Sequence, residues 1–274
     1  MKARFLLLLL TRLESIASFS QRQNERSPTP KYKFHSFEFD HLGFCRKPSF
    51  FQHTEHGKDT QVFVMKNVSG DGDCVFQAVI SASLVSMGMI DPDAFSTVPS
   101  MALHMRKVVA KLLSSPEGTL YVDRKQARGR VLRCQDVLQS AAKKEGLTEK
   151  EYLSKLCKPG REGGLHGGGP ELTVLSNVLR RPISIYHLKQ TSLPTGDVPC
   201  EIERMGVFGE GLFEDVCATV PDSVISNAGV CGLEKATHDM ELQLKSSWHL
   251  HILIVDASDK EKHATALLPS VQYP

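Results

Sequence analysis

Gly70-Asp71-Gly72-Asp73-Cys74-Val75-Phe76 reads as a chain reversal running into a helix. Glycine and aspartate in alternation are turn formers. The residues that follow place Phe76, Val79, Ile80, Ser83, Leu84 and Met87 at spacings of three and four, the period of a helix with one apolar face over 74–87. Upstream, 61–65 is a short strand leading into the turn. Downstream, 101–113 repeats the helical period through Leu103, Val108, Val109, Leu112 and Leu113, and 130–144 and 149–156 read as further helices, the last opened by Thr148 as N-cap. A glycine-dense loop over 160–169 runs into Pro170 and Glu171, first-turn residues of a helix reaching Leu179. Residues 182–186 alternate as a strand, and 189–245 is weakly patterned with one or two short strands. An apolar strand over 248–255, a polar turn at 256–262 and a strand at 263–268 form an antiparallel hairpin. Helices come early and strands late, which places the chain in the α+β class rather than among doubly wound sheets.

The 274 residues suit one large domain with an extension, or two small domains. With 33 Lys+Arg against 31 Asp+Glu the net charge is +2, so nothing points to a nucleic-acid partner. The seven cysteines are scattered without a C-x-x-C pair, which argues against a disulfide framework and a structural zinc site. Near the N-terminus, residues 5–10 are apolar but far short of the roughly 20 needed for a membrane span. Residues 1–24 read as a leader, either an organellar targeting segment or a stretch with no address; the cytoplasm is the expected compartment, organellar targeting the alternative. Residues 25–59 read as a linker or a partly docked extension: polar and proline-punctuated at first, then rich in phenylalanine, with four irregularly spaced histidines that read as surface or packing residues.

Cys74 is the cysteine placed for reactivity. At the head of a helix, unpaired amides and the positive end of the dipole favour thiolate over thiol. The amides of Asp71, Gly72 and Cys74 are candidates for an oxyanion hole, and Gly72 lets a substrate carbonyl approach without a Cβ in the way. On these local features a buried, inert cysteine after a turn is the competing reading. A thiol nucleophile needs a base, and His263, opening the last strand after a polar turn, is positioned to reach a cleft. His249 and His251 share one strand face and read as packing or surface residues.

The 70–76 string resembles the Cys-loop of the OTU (ovarian tumour) family of papain-like cysteine deubiquitinases, G-D-G-x-C-L-F/Y. Residues 166–176, His-Gly-Gly-Gly-Pro-Glu-Leu-Thr-Val-Leu-Ser, are similar to that family's W-G-G-x-x-E-L-x-x-L-A/S block, and His263-Ala264-Thr265-Ala266-Leu267 to its closing H-Y-N/D-x-L. The resemblance implies an OTU-like catalytic domain over 60–270, with a papain-like α+β fold in which a small mixed or antiparallel sheet packs between helices. It implies Cys74 as nucleophile, His263 as general base and Asp71 as the motif aspartate. Gly168, Gly169 and Glu171 would shape the helix start near the cleft. The implied reaction is hydrolysis after the C-terminal Gly-Gly of ubiquitin in chains or conjugates, through an acyl-enzyme, by a monomer needing no metal or organic cofactor. Ubiquitin would be gripped by 189–245 and the turn 256–262.

Four positions depart from the pattern. Thr265 stands where Asn or Asp usually orients the histidine, so either Thr265 orients the ring weakly or a carboxylate such as Asp256 or Asp259 substitutes. Asp73 adjoins the nucleophile, where its charge opposes thiolate formation unless it turns into solvent. His166 and Gln77 replace a tryptophan and a frequent arginine, changes expected to loosen packing without touching the mechanism. Thr265 and Asp73 motivate the alternative of an OTU-fold ubiquitin-binding module with little or no turnover.

Overall fold

Six strands close into a barrel: β3 (Phe51–Glu55), β4 (Asp59–Lys66), β7 (Ile183–Leu188), β8 (Cys200–Phe208), β9 (Leu250–Asp256) and β10 (Lys262–Pro269). Around the barrel the order is β10-β4-β3-β8-β7-β9, and β9 pairs back to β10. All pairings are antiparallel except β3 with β8 and β7 with β9. The computed structural model describes residues 37–55, 59–87, 89, 92–123, 130–189, 199–210, 249–256 and 262–270. The leader 1–24, residues 25–36, most of 189–245, Trp248 and the tip of the 256–262 turn with Asp259 lie outside the described residues. The chain is α+β as expected, but the sheet is a closed barrel with helices against its outside, not a small sheet between helices. Closure depends on β3 and the long β8, which come from segments whose sequence patterning is poor.

Strand alternation divides the apolar residues between two clusters. Phe51, Phe63, Met65, Tyr186, Ile202, Leu253, Val255 and Leu267 pack together on one side of the strands. Ile183, Ile185, Leu250, Ile252, Ala264, Ala266 and Leu268 face the other way, into the core shared with the helices. The antiparallel β9–β10 hairpin matches the sequence expectation, pairing His263 with Val255 and Ala266 with Ile252.

The helical part holds α1 (Cys74–Ser86), α2 (Pro92–Ser96), α3 (Val98–Leu113), α4 (Cys134–Lys144), α5 (Glu149–Leu156) and α6 (Gly169–Leu179). Helix α1 is wedged between β9 and β10 on one side and α3 on the other. It is therefore buried on nearly every face, Val75, Gln77, Ala78, Ser81 and Ala82 included, and Met87, expected on the apolar face, is exposed. Thr148 caps α5 in a reciprocal capping box with Glu151. Residues 130–133, expected to begin a helix, instead form β6 (Arg130–Arg133), which pairs with β5 (Thr119–Asp123) so that Leu132 lies opposite the buried Leu120. Of the extension, residues from Phe37 onward are docked. A small hairpin, β1 (Glu38–Phe39) with β2 (Cys45–Lys47), packs on the end of β4, and Phe51 of β3 is fully buried.

Candidate active site

The register of β4 against β10 brings the site together. Ala266 pairs with Lys66, and in an antiparallel pair the chain leaving Lys66 must run back along β10 past Thr265 and His263. The His263 ring accordingly meets this stretch on two edges. Nε2 lies 3.1 Å from Asn67 Oδ1. The Nδ1–Cε1 edge faces Gly70, where a Cβ would stand 3.7 Å from Nδ1. A proton on Nε2 would be donated to that oxygen. Burial pulls the imidazole below its ordinary range, opposed by the Val68 carbonyl and by the charge of Asp71.

Cys74 opens α1, and its sulfur receives the main-chain amide of Ala264, the residue next to His263. The thiol therefore lies against the strand that carries the histidine. Its side chain is 5% exposed. Burial pushes the thiol up; the amides of Ala264, Val75 and Cys74 itself favour the thiolate but are outweighed, and Asp71 opposes ionisation further. The helix amides act in the expected direction, and desolvation is the larger effect.

The loop before Cys74 is held from three directions. Asp71 Oδ1 accepts from the Asp73 amide and from Gln77 Nε2, both at 3.3 Å, and Gln77 Oε1 accepts from the Ser69 amide at 3.0 Å. Gln77 thus stitches both ends of the turn, a function in the site that its reading as a packing change missed. Asp73 does not turn into solvent. It is buried, and Arg106 of α3, fully buried, donates from Nε to Asp73 Oδ1 at 2.5 Å and from Nη2 to the Gly72 carbonyl at 2.9 Å. The guanidinium also lies 4.6 Å over the Phe76 ring, and Asp73 Oδ1 accepts the Gly160 amide at 3.0 Å. From the third side, Gly160 packs backbone on backbone against Gly72: a Cβ on Gly72 would meet Gly160 Cα at 2.9 Å, and Gly72 itself is left-handed at φ +88°. Gly167 packs equally closely on Val75.

Cys74, His263, Asp71 and Gly72 are brought to one end of the molecule. Thr265 is fully buried opposite Leu253 of β9, its hydroxyl 3.5 Å from the Leu253 carbonyl. Asp256 is exposed at the end of β9, paired with Lys262, and its charge bears on His187. Asn67, at the end of β4, faces the imidazole at Nε2. Glu171 is buried at the start of α6, accepting from Tyr152 at 2.5 Å and from the Gly168 amide at 2.8 Å; burial pushes its carboxyl up. It and Gly168 build the helix start, as expected. The sequence reading missed Asn67 and Arg106. Asn67 stands at the end of an ordinary strand, and Arg106 is a charged residue in a helix whose neighbours His104 and Lys107 are exposed, so neither carries a local signal.

Among the described residues no cluster of His, Cys, Asp and Glu could hold a metal ion, and no helix is long and apolar enough to cross a membrane. Comparison with known families matches residues 69–207, about half of the chain, to the model of the OTU-like cysteine proteases. A comparison with curated proteins finds no match.

Proposed function

From a chain that belongs to the OTU-like cysteine protease family, we propose a thiol-dependent ubiquitinyl hydrolase that cleaves the peptide or isopeptide bond after the C-terminal Gly-Gly of ubiquitin. The observation that supports this most directly is the Ala264 amide on the Cys74 sulfur, on the strand whose preceding residue, His263, meets Asn67 through Nε2.

Cys74 attacks the glycine carbonyl as its S–H proton passes to His263. A C–S bond forms, and the carbonyl electrons move to oxygen, facing the loop amides at Gly72 and Cys74. On collapse the C–N bond breaks and His263 returns the proton to the leaving amine. Water, deprotonated by His263, then hydrolyses the thioester and regenerates the thiol. The near-burial of Cys74 fits a donor whose last two residues have no side chains.

Ubiquitin bearing a C-terminal electrophile tests the reading. Covalent labelling lost in Cys74→Ser, with diubiquitin cleaved by the wild type alone, is the expected result; absence of both overturns it. The alternative, an OTU-fold ubiquitin-binding module with little turnover, draws on the same buried, pushed-up thiol. It is favoured if ubiquitin binds while the electrophile leaves Cys74 unlabelled.

A further inference from the structure

The stretch that bears on His263 is itself seated on the N-terminal hairpin, outside the family-matched residues. Asp40 builds the turn of that hairpin: its Oδ1 accepts the amides of Leu42 at 2.9 Å and Phe44 at 2.8 Å, and its carbonyl accepts the Gly43 amide at 3.0 Å. The turn then grips the end of β4 through two consecutive residues. Lys66 is buried, its ammonium donating to the Leu42 carbonyl and lying 4.8 Å over the Phe44 ring and 4.1 Å over the Phe95 ring of α2. Phe44 and Lys66 also form an isolated antiparallel bridge. Next in the chain, the Asn67 amide donates to the Gly43 carbonyl at 2.8 Å. The backbone of Asn67 is thus fastened to the hairpin while its side chain carries the histidine.

We propose that the 38–47 hairpin is a positioning element of the active site, acting on His263 through Lys66 and Asn67. A lysine buried between two aromatic rings is a costly way to close a surface turn, since a methionine or leucine would fill the same space without desolvating a charge. Its cation–carbonyl bond fixes the hairpin in one register on β4, and that register sets where the Asn67 carbonyl oxygen stands. Asn67 is neutral and only half-buried, so its grip on the imidazole depends on a backbone that does not shift. The inference rests on the proposed hydrolase reading for its rate measurements alone.

Its test uses the full chain. Phe44→Ala and Lys66→Met are expected to lower kcat on diubiquitin about tenfold with KM within twofold, as is Asn67→Ala. The double variant Phe44→Ala/Asn67→Ala is expected to be no slower than Asn67→Ala, because both act through one contact. Asn67→Asp, which keeps the acceptor, should restore most of the rate. Independently of turnover, 15N spectra should show the Nε2–H tautomer of His263 in the wild type and a mixed population in Phe44→Ala, Lys66→Met and Asn67→Ala. Wild-type rates and an unchanged tautomer in Phe44→Ala and Lys66→Met, or losses that multiply in the double variant, would overturn the proposal. If the wild type fails to cleave, the hydrolase reading falls, and the tautomer measurement still decides the hairpin's role. Should Lys66→Met not fold, Phe44→Ala carries the test.

Discussion

The two halves of the site are held by different physics. Around Cys74 the loop is tied into the interior by a buried ion pair, a buried glutamine and two glycine backbones in contact. Around His263 the ring meets an asparagine oxygen and a main-chain carbonyl and feels the charge of Asp71, in a stretch whose Ser69 and Gly70 are exposed. The proposed nucleophile is therefore placed by the same interactions that hold the helices together, and the proposed base by contacts that could be lost without unfolding the core. Stability and rate should consequently respond to different residues.

The comparison is broken most decisively at Arg106. Arg106→Met strands the Asp73 carboxylate without its partner, and breaking such a buried pair costs roughly 3–5 kcal/mol. Chemical denaturation should show that loss; a change under about 1 kcal/mol would mean that the pair does not hold the Cys-loop. Removing both charges, Arg106→Met with Asp73→Leu, should recover much of the stability, since hydrophobic replacements of buried pairs are often near neutral. Turnover should stay low even so, because the Gly72 carbonyl and Gly160 amide lose their anchors.

Next comes Thr265. If it oriented the imidazole, Thr265→Asp would raise the rate. Buried opposite Leu253, it should instead cost about 1–3 kcal/mol, the penalty for an unsatisfied buried polar group, with no gain in turnover. Faster cleavage by this variant would return Thr265 to the site.

The smallest effect is in the pH profile. His263 is pulled down by burial, so its neutral, proton-accepting form persists below the unperturbed value of about 6.5. The acid limb of kcat/KM should have its midpoint below that value, and in Asn67→Asp, where a carboxylate favours imidazolium, it should move upward. A midpoint above 6.5 in the wild type would show that a charge, not a neutral acceptor, faces the ring.

Much of the site was legible in the residues. The glycines, the cysteine and the helical period after it specify a turn-to-helix junction locally, and Gly72 does take the left-handed conformation such a turn requires. The β9–β10 hairpin was equally readable, because apolar alternation around a polar turn admits few other structures. Illegible were the partners that arrive from elsewhere. Asp73 read as a hazard to the thiolate because Arg106 lies 33 positions away, and the ring's partner was left between Thr265 and a carboxylate such as Asp256 or Asp259 because Asn67 lies 196 positions from His263.

What the chain by itself determined is therefore the order of turns, helices and strands and the identity of the thiol, properties set within a few residues by dihedral preference and apolar period. Tertiary structure alone decided the closure of the barrel, the inward aim of Asp73 and the choice of Asn67 over Thr265. Each follows from strand register and desolvation, which depend on segments far apart along the backbone meeting at one depth in the core.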